Sequence, residues 1–190
     1  MNLSKGFYFT VLPLVVLSVL FQFLQETDIL SFSYNRFTFL SNISYQVITP
    51  NLLHLNWRHW LLNILNLFAL IFIFDKAWNY LTFFILFGVS SMGVILSLYL
   101  FSPNVVSYVG MSGVIYSLAV YSSFDNFKSQ KLLSSILLFF IFLKLFFNSW
   151  ITHIFRMDLL LNDMHVITDA HRYGAIIGFS FFFLKNKISP

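Results

Sequence analysis

The chain has 190 residues, of which 58% are hydrophobic and 9% are charged, and it contains no cysteine. So few charges exclude an ordinary water-soluble domain, whereas lipid accepts apolar side chains on every outward face. The lack of cysteine excludes disulfides and thiol chemistry. The net charge is +4 with scattered basic residues, which argues against nucleic-acid binding. We therefore predict a single all-α membrane domain over residues 1–190, surrounded by membrane lipids.

Apolar stretches in chain order predict the helices, because a membrane-spanning helix needs about 17 to 25 apolar residues. Six stretches reach or approach this length, at 7–24, 60–74, 80–101, 112–124, 132–151 and 170–184. The first is not followed by a small-residue cleavage site, so it is interpreted as a retained anchor. A long first loop at about 25–59 is expected to lie at the membrane interface.

Basic residues indicate the orientation of these helices. With a cytoplasmic N-terminus, six lysines fall inside and four arginines fall outside, a weak bias in the direction of the positive-inside rule. The lysines are Lys5, Lys76, Lys128, Lys131, Lys185 and Lys187, and the arginines are Arg36, Arg58, Arg156 and Arg172. Both termini are therefore predicted to be cytoplasmic.

The fourth stretch is too short to cross a bilayer core of about 30 Å at a rise of 1.5 Å per residue. Its start is therefore predicted to lie below the membrane surface. The preceding segment, 102–110, contains Pro103 and is expected to be non-helical. Such backbone persists at membrane depth only where it is buried in protein or lines a water-filled cavity.

A serine between two glycines opens this fourth helix. Gly110 and Gly113 flank the pair Met111-Ser112, which allows a sharp turn and a close neighbour, while helix-start N–H groups are available to an oxyanion. Ser112 is thus a candidate nucleophile. A serine at this position is also a common helix N-cap, and that structural role is the alternative.

A histidine opens the last predicted helix. His171, Gly174 and Gly178 are spaced i, i+3 and i+7, so they share one face, and the glycines form a small-xxx-small pattern that permits close helix approach. If the neighbour is the Ser112 helix, the imidazole comes within reach of the hydroxyl and can act as general base. A histidine with only a structural role is the alternative. Asp169 is interpreted as an N-cap.

Polar residues also enter the second predicted helix. His59 and Asn63 are spaced i, i+4, and unpaired polar groups in lipid are costly enough to suggest a function. Both can donate hydrogen bonds, so together with the Ser112 N–H they are candidate oxyanion donors. Asn66 is interpreted as a contact between helices.

These three pieces together resemble the rhomboid family of intramembrane serine proteases. The ordered motifs are H-x(4)-H-x(3)-N, G-x-S-G-x-x-Y and A-H-x-x-G-x-x-x-G, between about residues 54 and 178. The resemblance implies a six-transmembrane-helix bundle with a short, recessed fourth helix. It implies a catalytic dyad of Ser112 and His171, oxyanion donors at His59, Asn63 and Ser112, and a Tyr116 ring packed on His171. Supporting roles fall to Gly110, Gly113, Tyr116, Gly174, Gly178 and His54.

The first loop points to one branch of that family. It has Tyr34-Asn35-Arg36 where typical bacterial rhomboids have a Trp-Arg pair, and in this respect the chain resembles rhombosortases. That branch implies transmembrane-anchored protein substrates with a Gly-Gly motif, a hydrophobic helix and a basic tail. It also implies the bacterial inner membrane, with the site open to the periplasm. Hydrolysis or transfer to an amine, substrate identity and oligomeric state stay open.

Three other classes are alternatives. A catalytically silent rhomboid-like binding protein would need neither Ser112 nor His171, and a transporter would leave the glycine-flanked serine unexplained. A metalloprotease has five histidines to draw on, but there is no H-E-x-x-H. His153 and His165 are interpreted as interfacial residues, and no cofactor or metal is expected.

Overall fold

The structure, a computed structural model, describes residues 5–26, 32–74, 78–147 and 167–188. Within these ranges seven α-helices account for most of the chain, and the prediction of a mostly helical protein is confirmed. They are α1 Lys5–Glu26, α2 Ile43–Gln46, α3 Trp57–Ile73, α4 Tyr80–Phe101, α5 Ser112–Asp125, α6 Lys131–Phe146 and α7 Thr168–Ile188.

Most helix ends differ from the predicted ends by a few residues. The bounds of α4 agree with the prediction of 80–101. Helix α3 begins three residues early, because the Asn56 side chain accepts a hydrogen bond from the His59 N–H at 2.9 Å and caps the helix. Helix α6 ends at Phe146, before the predicted 151, and residues 148–151 lie outside the described ranges.

One helix in the described part of the chain is long and apolar enough by itself to cross a membrane. This is α4, with 22 residues and a mean hydropathy of 2.2. Shorter apolar helices run over Val11–Leu24 and Trp57–Ile73. That all six long helices cross the membrane, with α5 recessed, stays a prediction.

Helix α5 lies at the centre and is buried along almost its whole length. Helix α7 packs against it so closely that a Cβ on Gly174 would overlap the Gly113 carbonyl oxygen, and one on Gly178 would overlap that of Ser117. This contact is called the glycine seam. The two predicted small residues therefore do bring two backbones together, and the partner is the helix that begins at Ser112.

A small antiparallel sheet ties the first loop to the segment before α5. Strand β1 (Tyr34–Asn35) pairs with β2 (Ser107–Tyr108), and the Gly110 N–H donates to the Pro50 carbonyl at 2.9 Å. The sheet was not predicted, because two-residue strands carry no periodic signal. It fixes the non-helical backbone that leads into α5, so the all-α description needs this one addition.

Candidate active site

Gly110 shapes the entrance to α5. Its φ of +133° lies in the region that favours glycine. A Cβ on this residue would lie 3.0 Å from Cε1 of His59 and 3.8 Å from Oγ of Ser112. The imidazole of His59 and the hydroxyl of Ser112 therefore flank the same turn, and any larger residue at 110 would both strain the backbone and press on His59.

Tyr108 stabilises this turn through a hydrogen bond, and this role was not predicted from the sequence. Its hydroxyl donates to the Gly110 carbonyl at 2.6 Å and lies 3.3 Å from where a Cβ on Gly113 would be. Burial raises the pKa of the Tyr108 phenol, so it remains a neutral donor. A tyrosine in a non-helical segment carries no pattern that identifies such a contact, which only the folded turn reveals.

The glycine seam brings His171 to Ser112. His171 Nε2 lies 2.8 Å from Ser112 Oγ, and the imidazole is 5% exposed. If the hydroxyl is the donor in this pair, Nε2 is the acceptor and the ring proton sits on Nδ1. Among the described residues Nδ1 has no hydrogen-bond partner, so that part of the chain supplies no acidic third member.

Tyr116 orients the imidazole by stacking. Its ring lies 4.4 Å from that of His171, centroid to centroid, with 11° between the planes. Tyr116 follows Ser112 by four residues on α5, hence by one helical turn, so both side chains lie on the face toward α7. A flat aromatic contact limits rotation of the imidazole where a carboxylate is absent from the described surroundings.

His59 and Asn63, the two predicted side-chain oxyanion donors, differ in their surroundings. The ring of His59 borders the Gly110 turn, as described above. The side-chain amide of Asn63 is buried and donates to the His59 carbonyl at 2.9 Å, so one of its two N–H groups is engaged along its own helix. Asn66 is exposed, and its interpretation as a contact between helices is wrong. The buried face of α3 carries Asn63, Ile64, Leu67, Leu70 and Ile71, and Asn66 lies just outside it.

His54 forms the layer behind His59. It is fully buried, and its ring packs edge-on against that of His59 with centroids 5.2 Å apart. Its backbone N–H donates to the Gln22 side chain of α1 at 3.0 Å. Burial lowers the pKa of His54 to about 3, so this imidazole is neutral. His54 thus contacts His59, and among the described residues its ring nitrogens have no hydrogen-bond partner.

Asp169 does not cap α7, which corrects one prediction. The helix begins at Thr168, so Asp169 lies inside the first turn. Its carboxylate accepts hydrogen bonds from Ser102 and Arg172 and is not directed at His171. His153 and His165 lie outside the described ranges. Within those ranges no group of three or more His, Cys, Asp or Glu residues could hold a metal ion.

Comparison with protein families identifies the family of this chain. A family model described as the Rhomboid domain matches residues 41–187, and the chain therefore belongs to the rhomboid family. The family is integral to membranes and consists generally of intramembrane serine proteases, although some members are inactive. A search of curated proteins finds no match.

Proposed function

We propose that the protein is an active intramembrane serine endopeptidase that cleaves transmembrane-anchored protein substrates with a dyad of Ser112 and His171. The observation that supports this most is the 2.8 Å contact between Ser112 Oγ and His171 Nε2, at a helix start and beneath a stacked tyrosine. An inactive member of the family would have no need of this combination.

In the acylation step, Ser112 Oγ attacks the carbonyl carbon of the scissile bond while His171 Nε2 takes the hydroxyl proton. The carbonyl electron pair moves onto oxygen and forms a tetrahedral oxyanion. When this intermediate collapses, the C–N bond breaks and the leaving amine receives the proton from His171. The product that stays on the enzyme is an ester of Ser112.

The oxyanion needs donors that are in place before it forms. The first N–H groups of a helix have no acceptor within that helix, so the Ser112 N–H at the start of α5 can serve. The His59 ring and the remaining N–H of Asn63 are the proposed side-chain donors. Donors fixed in a site of low polarity stabilise developing charge more than water does.

The second step releases the ester. Water gives one proton to His171 and attacks the acyl carbon, the ester C–O bond breaks, and Ser112 recovers the proton. A primary amine can follow the same route and leave an amide in place of a free carboxylate. By its resemblance to rhombosortases, we propose substrates that end in a Gly-Gly motif, a hydrophobic helix and a basic tail, processed at the periplasmic side of a bacterial inner membrane.

A fluorophosphonate probe tests the dyad without a known substrate. We expect the purified protein to form a covalent adduct at Ser112, located by peptide mass spectrometry, and the His171→Ala variant to lose it. A silent relative that only binds other proteins would give no adduct in either form, and that result would end the proposal.

The new C-terminus of a processed substrate separates hydrolysis from transfer. We expect intact-mass and fragment spectra of a Gly-Gly substrate to show cleavage that depends on Ser112. A free carboxylate identifies hydrolysis, and an added mass identifies transfer. Cleavage of ordinary transmembrane substrates with no preference for the Gly-Gly tail would contradict the proposed branch while leaving the protease intact.

The proposed oxyanion donors predict a loss in turnover. We expect His59→Ala and Asn63→Ala each to lower kcat by about 10²- to 10³-fold with a much smaller change in KM, because the donors act on the transition state. Asn66→Ala is the matched control, since Asn66 is an exposed asparagine on the same helix. If Asn63→Ala keeps the kcat of the control, Asn63 is not a donor.

The stacked ring predicts a smaller effect. We expect Tyr116→Phe to keep the wild-type labelling rate. We expect the labelling rate of Tyr116→Ala to fall by up to about tenfold, because a stacked aromatic pair contributes about 0.5 to 1.5 kcal/mol. The measurement is the rate of fluorophosphonate labelling. Loss of equal size in both variants would mean that the phenol, and not the ring face, orients His171.

A further inference from the structure

A three-residue polar contact joins α7 to the end of α4. Ser102 Oγ donates to Asp169 Oδ2 at 2.7 Å and lies 2.9 Å from the Tyr173 hydroxyl. Ser102 directly follows α4 and is 5% exposed, while Asp169 and Tyr173 belong to the first turns of α7. We call this set, Ser102, Asp169 and Tyr173, the α4–α7 clamp.

The hydrogen bonds of the clamp have a defined direction. Ser102 has a single hydroxyl proton, and the carboxylate of Asp169 can only accept. Because Ser102 donates its one proton to Asp169, the Tyr173 hydroxyl must donate to Ser102 Oγ. The other carboxylate oxygen, Oδ1, accepts from the exposed Arg172 at 3.1 Å. At 2.7 Å, the Ser102 contact is the shorter of the two contacts of this carboxylate.

The clamp and His171 lie on different faces of α7. Asp169 and Tyr173 are spaced i, i+4 and share a face. His171 follows Asp169 by two residues and therefore lies about 200° around the helix axis from it. Ile177 continues the clamp face, and a Cβ on Gly93 of α4 would lie 2.7 Å from its Cδ1. Helix α7 is thus held on one side by α4 and on the other by the glycine seam.

Ser102 also begins the segment that leads to the nucleophile. Its carbonyl accepts from the Val105 N–H at 3.0 Å, and the chain then runs through β2 to Gly110 and Ser112. One hydroxyl therefore connects the start of the serine-bearing segment with the first turn of the histidine-bearing helix. Rotation of α7 about its axis would break these contacts and carry the imidazole away from Ser112.

We propose that Ser102 and Asp169 are positioning residues for His171, which fix the rotation of α7 through a hydrogen bond and not through the charge of Asp169. Because this role presupposes the dyad, it rests on the proposed function. Misplacement of a reacting group by about 1 Å can cost on the order of 100-fold in rate. The clamp thus sets how fast Ser112 is activated.

The experiment measures both the rate constant and the final extent of fluorophosphonate labelling of the full chain in detergent. We expect Ser102→Ala and Asp169→Ala each to lower the rate constant by about 10- to 100-fold, while the final labelled fraction stays at the wild-type level. Variants that merely unfold would show the reverse, with a smaller labelled fraction at the wild-type rate, and that result would overturn the proposal.

Two further variants separate geometry from charge. Asp169→Asn keeps an oxygen that can accept from Ser102, so we expect a rate close to that of the wild type. Arg172→Gln removes the exposed partner of Asp169, together with the hydrogen bond from Arg172 to the Leu145 carbonyl, and leaves the Ser102 contact. Its rate is also expected to be close to that of the wild type. An Asp169→Asn variant as slow as Asp169→Ala would overturn the positioning role in favour of an electrostatic one.

The outcomes also separate this role from the proposed function. A wild-type chain without Ser112-dependent labelling would remove the dyad and the clamp together. A labelled wild type with an unchanged rate in Asp169→Ala would remove the clamp alone. The double variant of Ser102 and Asp169 should lose no more than Ser102→Ala, because both single variants break the same shared hydrogen bond and Ser102→Ala also breaks the Tyr173 contact. Additive losses would contradict a shared bond.

Discussion

We expect the Ser112→Ala variant to lose cleavage of a cognate substrate by on the order of 10⁴-fold or more, with its fold intact. The variant removes the one atom that the proposed mechanism acylates, and His171 then has no proton to accept. The proposed oxyanion donors can still bind the carbonyl oxygen of the substrate, but without the Ser112 hydroxyl no acyl-enzyme ester forms. The measurement is substrate cleavage in detergent or liposomes, followed by immunoblot or mass spectrometry.

Ser123→Ala is the matched control for this variant. Ser123 is a fully buried serine on the same helix, and its hydroxyl donates to the Ala119 carbonyl of that helix at 2.8 Å. Both variants remove one hydroxyl from α5, so any general cost to folding is shared. Cleavage by Ser112→Ala at the rate of Ser123→Ala would end the protease assignment.

The second large effect is expected at the glycine seam. We expect Gly174→Ala to destabilise the protein by about 3 kcal/mol or more, because the added Cβ overlaps the Gly113 carbonyl oxygen and neither backbone can yield as a side chain would. The added Cβ would also push α5 and α7 apart and so increase the distance between His171 and Ser112. Thermal unfolding in detergent and fluorophosphonate labelling should both report the loss.

Gly88→Ala provides the comparison. Gly88 lies within α4, and a Cβ there would meet nothing within 4 Å. Because alanine favours a helix over glycine by up to about 1 kcal/mol, this variant is expected to be as stable as the wild type or slightly more stable. Equal stability of Gly174→Ala and Gly88→Ala would mean that the two helices do not meet at the seam.

Much of this molecule follows from local patterns in the chain. The apolar stretches predicted the bounds of α4 and the start of α5 at Ser112, since a long apolar segment satisfies its own backbone hydrogen bonds as a helix in lipid. The spacing of His171, Gly174 and Gly178 predicted a close helix contact. The start of α3 differs from the prediction by three residues because the helix is capped by Asn56, which precedes the apolar stretch.

Other features depend on residues far apart in sequence and have no local signal. The pairing of β1 with β2, the Tyr108 contact under Gly110, and the contact of Ser102 with Asp169 each join segments whose patterns are independent of one another. Asp169 illustrates the difference. Read locally, an acidic residue at a helix start is an N-cap, whereas in the fold the end of α4 supplies a better partner.

The local sequence predicts a serine between glycines at one helix start and a histidine followed by small residues at another. That α5 is the neighbour of α7, and that Ser112 Oγ lies 2.8 Å from His171 Nε2, is seen in the fold and has no local signal. Residue spacing along a helix specifies a face but does not specify which helix packs against it. The partner is chosen by packing, where two glycines let one carbonyl approach another helix.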